Sequence, residues 1–556
     1  MKILKFIFCL LCFSLAVSSF SQSNHSPQSS FPLILDMVHN NPGEAPWKTQ
    51  FNDPEVLKKM GYNGKVFSLF ESAQLAVNWD EVDPDILPKG SPDRLWVDAL
   101  AVHMDSVYTS AKKAGLMVFC HSDLLLFPKR LVQKYGMEQT FGDPNDPKTQ
   151  KYLRLLLEQM FKRFPQLDGI VVRIGETYLQ DAPYHVGKIN DKGNPDKTII
   201  PLLQILRDEV CVKLNKKLIF RTWLSFDTDI QKYMKVNDAI EPHPNLTIAV
   251  KHCEGDFQRG NPFSKVLGIG RHKQILEVQC AREYEGKGAY PNYIGHGVID
   301  GFEEHAALRK NGKPASLNDI RAKSNLMSGM WTWTRGGGWE GPYITNELWC
   351  DLNAWVMAQW ANHPGESEAS IFHRYSTDVL HLKGADVKRF RKLCLLSADA
   401  VIRGKRSVSE EISPWWTRDQ YIGWPDLPKD QKAVANVLHE KDTSVVMWQE
   451  IVSLAEKIRF ADNRTKNYAV VSSKYGHCLY SIYRSLFYLS AIEKGTYPRT
   501  ELAKWIKSYD LAWKDYENLK KDNKECSTLY LKNEVRRMGK KFPCADNKVN
   551  ELRKSL

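Results

Sequence analysis

Apolar residues in this chain follow two alternating patterns. Short, densely apolar runs rich in branched and aromatic side chains occur at LILDMV (33–38), GKVFSLF (64–70), GLMVFCH (115–121) and GIVVRIG (169–175). Four more follow at KLIFRTW (217–223), LTIAVKH (246–252), ILEVQCA (275–281) and NLMSGMWTW (325–333). Such runs predict strands, and the segments between them carry apolar residues at three- and four-residue spacing, as helices do. The clearest helix starts at Asp93, a candidate N-cap, and ends at Gly115. Another has Asp146 as cap, Pro147 at its first position and Pro165 beyond its end. A third, KTIIPLLQILRDEVCVKLN, leads into the fifth strand.

Eight strands alternating with helices predict a (β/α)8 TIM barrel over residues 32–345. The connection between the sixth and seventh strands, NPFSKVLGIGRH, offers little helix and weakens the count. A doubly wound open sheet is the alternative, but HNNPGEAP after the first strand is no glycine-rich phosphate loop. From about Gly341 the pattern is amphipathic helix throughout, in segments such as ITNELWCDLNAWVMAQWA and ELAKWIKSYDLAWKDYENLKKD. Residues 346–556 are therefore expected to form an all-helical C-terminal domain, which leaves open a homodimer through that half. No fixed-period repeat is present.

The start of the chain changes the picture of where the protein works. A basic opening (Lys2, Lys5), an apolar run and small residues predict a secretory signal over residues 1–21, then a polar tether over 22–31. The expected destination is the periplasm or the cell surface. Of eleven cysteines, Cys9 and Cys12 would leave with the signal, an odd number would remain, and Cys526 and Cys544 are one possible pair. The formal charge is +12, spread along the chain without a nucleic-acid motif. A basic balance suits an anionic polysaccharide, although a solvated basic surface explains most of it.

In such a barrel the chemistry sits where the strands end. Those ends carry His39, Asn40, Glu71, His121, Asp123, Glu176, Arg221, Trp223, His252, Asp256, Arg282, Glu283, Trp333 and Arg335. Neither an HExxH motif nor G-x-S-x-G is present, so no metal, cofactor or serine nucleophile is expected. Glycoside hydrolysis needs one protonated carboxyl and one carboxylate on opposite faces of the sugar bond. Glu176, Asp256 and Glu283 can supply them, although a single strand-end acid is more often a helix cap.

The stretch DPNDPKTQKYLRLLLEQMFKRFPQLDGIVVRIGE resembles the segment before the catalytic acid in glycoside hydrolase family 67, the α-glucuronidases. VKHCEGDFQRGNP and ILEVQCAREYEG are similar to that family's aspartate-phenylalanine-glutamine and glutamate-rich segments, and SGMWTW with WEGPYITNELWCDLNAWVMAQWA to its last strand and following helix. The matches keep the family's order over roughly residues 110–365. The resemblance implies a barrel followed by a helical domain, with Glu176 as general acid. It makes Asp256 and Glu283 the pair that activates water, giving inversion, which requires acid and base about 6.5–9.5 Å apart. It implies that Arg221, and Arg173 near the family's lysine, bind the uronate carboxylate, for which a planar guanidinium fork is suited. Arg173 is equally well read as a strand residue paired inside the barrel.

This chain departs from the family in three ways. The first strand begins near Phe31, where the family has a preceding β-rich domain. Arg282 replaces an amide, and His252-Cys253-Glu254 replaces a small neutral segment. These changes make His252 and Arg282 candidate specificity residues. Trp223, Trp331, Trp333, Trp339, Tyr284 and Tyr290 are candidates for sugar subsites, with core packing as the competing reading. The leading expectation is an exported inverting hydrolase removing an α-linked uronic acid from an oligosaccharide. A hydrolase of another anionic or sulfated glycan, an idle carbohydrate-binding barrel and a uronate lyase are the alternatives.

Overall fold

A computed structural model describes residues 30–39, 48–68, 71–174, 182–222, 228–337, 344–408, 411–412, 422–523, 532, 535–537, 540–542 and 544–556. Eight strands close a barrel: β1 (Leu33–His39), β2 (Gly64–Phe67), β3 (Met117–Leu124), β4 (Gly169–Ile174), β5 (Lys217–Arg221), β6 (Leu246–Lys251), β7 (Lys273–Gln279) and β8 (Met327–Gly336). Each pairs in parallel with its sequence neighbours, and β8 returns to β1 with Leu33 opposite Gly329. The predicted strands are all present, and the barrel followed by helices is the predicted architecture.

Strand alternation sorts the residues into two layers. Leu35, Phe119, Val171, Ile219, Ala249, Ile275 and Trp331 point inward and form a core of their own. Val118, Val172, Phe220, Val250 and Val278, one position along, face outward and join the much larger core under the helices. Gly169 lies where strands crowd, because a Cβ there would stand 2.3 Å from the Lys217 carbonyl oxygen and 2.8 Å from the Phe119 ring.

Helix α1 (Pro92–Lys113) corrects one expectation. Ser91 occupies the N-cap position, and Asp93 is buried in the first turn, receiving the Ser91 hydroxyl and pairing with Arg130 Nε at 2.7 Å. Helix α2 (Pro147–Arg163) starts as predicted, with Asp146 Oδ2 accepting from the Thr149 amide at 2.8 Å. The β6–β7 connection contains no helix. It doubles back, with the Glu254 amide donating to the Pro262 carbonyl and the Ser264 amide to the His252 carbonyl, both at 3.0 Å. That excursion carries Asp256.

After the barrel, α3 (Leu348–Asn362) packs against β8 and buries Trp349 and Trp360. Helices α4 (Ala385–Lys405), α5 (Gln431–Lys457), α6 (Asn463–Glu493) and α7 (Leu502–Asp522) then stack in sequence order. Tyr290 plugs the junction: its hydroxyl meets that of Tyr480 at 3.1 Å and its ring meets Trp448 edge-on. It is a packing residue and not a subsite wall. No described helix is long and apolar enough to cross a membrane.

Candidate active site

Two residues further along each inward face, the apolar barrel core gives way to charge. Phe119 leads to His121 and Asp123, Val171 to Arg173, Ile219 to Arg221, Ala249 to Lys251, and Ile275 to Glu277 and Gln279. All are buried, at 4% exposure or less. Burying charge is expensive unless it is paired, and here pairing is extensive. Arg173 bonds Asp123 through both fork nitrogens, Nε to Oδ1 at 2.6 Å and Nη2 to Oδ2 at 2.8 Å. Arg221 does the same with Glu277, at 2.9 and 2.5 Å, while its guanidinium lies 5.3 and 5.2 Å from the Trp331 and Trp333 rings. The forks that the sequence offers to a substrate are thus also satisfied within the barrel.

Lys251 is the residue that sequence reasoning passed over. It reads as one more position in an apolar strand, but its parity puts it inside the mouth, where its Nζ is 3.9 Å from Asp256 Oδ1. Glu277 was missed for the same reason. Counting inward positions from Ala249 and from Ile275 would have found them.

Asp256 is held by its surroundings. Its carbonyl oxygen accepts from Asn261 Nδ2 at 2.7 Å and from the Cys253 thiol at 3.5 Å. Its carboxylate accepts the Tyr284 hydroxyl at 2.5 Å, so Tyr284 orients an acid, a role distinct from stacking on a sugar. Glu283, the residue before Tyr284, is nearly buried, and its amide donates to Gln279 Oε1 at 2.7 Å. Gly337 lets the chain pass close: at φ +87°, a Cβ would stand 2.1 Å from Gln279 Nε2 and 3.2 Å from Glu283 Oε2.

The loop after β7 is strained and locked. Arg282 sits at φ +55°, unusual for a large side chain. Its fork bonds Glu285 at 3.0 and 2.9 Å, and Glu285 also accepts from the Arg259 amide at 2.5 Å and Asn292 Nδ2 at 2.9 Å. Burial pushes Glu285 up, but Arg282, the nearby Lys405 amine and the Arg259 amide outweigh it and hold Glu285 down to about 2. His252 lies 3.2 Å from Arg282 Nη1; burial and that guanidinium push it well below its ordinary value, so it is neutral. His252 and Arg282 are therefore parts of a buried network beneath the acids.

Trp333 caps the barrel interior, stacked on His39 at 4.9 Å and approached by Phe257 at 5.7 Å. Trp331 is wholly buried below it. Arg335 pairs with Glu347, and Glu71 with His103 at 3.0 Å. Glu176, Trp223, Trp339 and Asn40 lie outside the described residues, as does Cys526. Cys544 is buried, its thiol 3.7 Å from Asn547 Oδ1. Among the described residues, metal-ligating atoms gather at His296, Asp300 and Glu368. Both oxygens of Glu368 already accept from Arg391, at 2.6 and 2.5 Å, and its neighbours push His296 up to about 9, a poor setting for a cation.

No family model matches the chain, and no curated protein does. Among solved structures, a GH138 enzyme described as targeting pectin rhamnogalacturonan II superposes with a TM-score of 0.53 at 14% identity, over 89% of this chain and 63% of that one. This chain therefore spans less than two thirds of that enzyme. A mutant O-GlcNAc hydrolase of Thermobaculum terrenum matches at 0.38, with 10% identity and 88% and 94% coverage. CpGH84B matches at 0.42, with 10% identity and 94% and 77% coverage. At 14% identity the likeness to the GH138 enzyme is one of fold.

Proposed function

We propose that the chain is an inverting glycoside hydrolase that removes an α-linked uronic acid from an oligosaccharide. The observation that carries this reading is the clasp of Asp256 and Tyr284 over a barrel mouth in which Lys251 is buried. Asp256 and the neighbouring Glu283 supply acids from loops after adjacent strands. Lys251 supplies a cation beside them, suited to a sugar carboxylate. Glu176 follows β4 by two residues and takes the role of general acid, donating a proton to the leaving oxygen. Asp256 and Glu283 then orient and deprotonate a water on the opposite face. The GH67 resemblance and the barrel shared with glycosidases support the same reading, and the signal-like first 21 residues add export to it.

The second reading is a hydrolase of another acidic glycan. Pectin is polyanionic, and the GH138 neighbour's described target makes pectic fragments the first alternative to try. Aldouronic oligosaccharides, pectic fragments including rhamnogalacturonan II, sulfated glycans and neutral controls are incubated with the protein, and products are followed by NMR. Release of uronic acid with inverted configuration is expected. A retained anomer refutes the water mechanism, and binding without cleavage of any glycan makes the barrel a binding protein.

A further inference from the structure

We propose that Lys405 of the helical half is a positioning residue for the acid pair at the barrel mouth. The inference rests on the hydrolase reading of that mouth. Lys405 ends α4 and is wholly buried. Its Nζ donates to the carbonyl oxygen of Tyr284. The same Tyr284 follows Glu283 in the chain and gives its hydroxyl to Asp256. One side chain from the helices therefore grips the backbone of the residue that follows Glu283 and bonds Asp256.

The choice of residue is informative. An apolar side chain would fill the same space without burying an amine, and burial pushes this one down to about 7, with Glu285 opposing the shift and Arg282 adding to it. What the amine provides is a bond to a backbone held in conformations that L residues rarely adopt. Arg282, Gly286, Lys287 and Gly288 all have positive φ, from +51° to +100°. Glu285 is fixed from the barrel side by Arg282, Arg259 and Asn292. From the helical side, Lys405 holds the Tyr284 carbonyl, while Tyr480 meets Tyr290 at the far end of the segment. By contrast, Lys466 donates to the carbonyls of Ala455 and Ile458 inside the helical half, far along the chain from either acid.

Hydrogen exchange and kinetics on the full-length protein test this together. K405M should raise exchange of the 282–290 amides roughly tenfold, consistent with local opening of one segment, while K466M should not. On a cleaved glycan, K405M should lower kcat by roughly 10–100-fold with KM within about twofold, because small misplacements of reacting groups act on turnover. K405Q, which keeps an N–H donor, should recover part of that loss and serves if K405M does not fold. K405M combined with Y284F should cost no more than the larger single effect, since both act through one residue. Unchanged exchange at 282–290, or unchanged kcat in a folded K405M enzyme, overturns the proposal. A wild-type chain that cleaves no glycan defeats the hydrolase reading, while the loop contact is still read from exchange.

Discussion

The Tyr284 hydroxyl lies 2.5 Å from Asp256 Oδ2 and ties the loop after β7 to the loop after β6. A carboxylate on an irregular excursion has many rotamers, and a phenol fixed in a neighbouring loop removes most of them. Y284F should lower kcat by roughly tenfold, the usual scale for loss of one orienting hydrogen bond to an ion. D256N should lower it further, by roughly 100-fold or more, as expected for removal of a base. Steady-state rates with one uronate substrate check both, and a Y284F enzyme with full turnover would reduce the contact to packing.

Lys251 should set selectivity for charge. A charge-assisted bond to a sugar carboxylate contributes about 1.5–3 kcal/mol, so K251M should reduce by roughly 10–100-fold the preference for a uronate over its methyl ester. Comparing kcat/KM for the two substrates cancels any general damage to the site. An unchanged ratio would remove Lys251 from substrate recognition.

The barrel was legible because its strands are continuous apolar runs with helical spacing between them. Ser91 displaced Asp93 as cap because Pro92 already fills the first helical position. The site was read less fully, since strand-end acids announce themselves at the boundary of a run while Lys251 and Glu277 sit inside one. Only the parity of the strand tells that they face the mouth. Arg282 stands out in the sequence beside Glu283, and Tyr284 as a subsite aromatic, but their partners Glu285 and Asp256 depend on how the loop turns through its left-handed residues. Lys405 is 121 residues from Tyr284 and carries no local signal at all.

The Arg221–Glu277 pair should be a stability element as well as a wall of the site. Both residues are 2% exposed or less. E277A would leave a guanidinium buried against Trp331 and Trp333 and should cost about 3–5 kcal/mol, the range for removing one partner of a buried pair. R221M combined with E277L removes both charges and should be milder than E277A alone. Urea unfolding of the three variants decides, and a double variant as unstable as the single would show that packing rather than charge is responsible.

Asp36 should make stability fall with rising pH. It sits on the outward face of β1, accepts from the Thr332 hydroxyl at 2.6 Å and the Thr334 hydroxyl at 2.9 Å, and is fully buried. Burial raises it from 3.8 to about 6, with the two threonines, Lys65 and the Met37 amide opposing. The folded chain therefore holds this proton more tightly than the unfolded chain. The stabilisation is fully present below 3.8 and is lost as pH rises through about 6. A shift of this size corresponds to ~3 kcal/mol. D36N, which mimics the neutral acid, should lack that loss, so the stability difference between wild type and D36N should change across this window and be flat above it. Urea midpoints over a pH series measure it, and a constant difference would mean that Asp36 is ionised throughout.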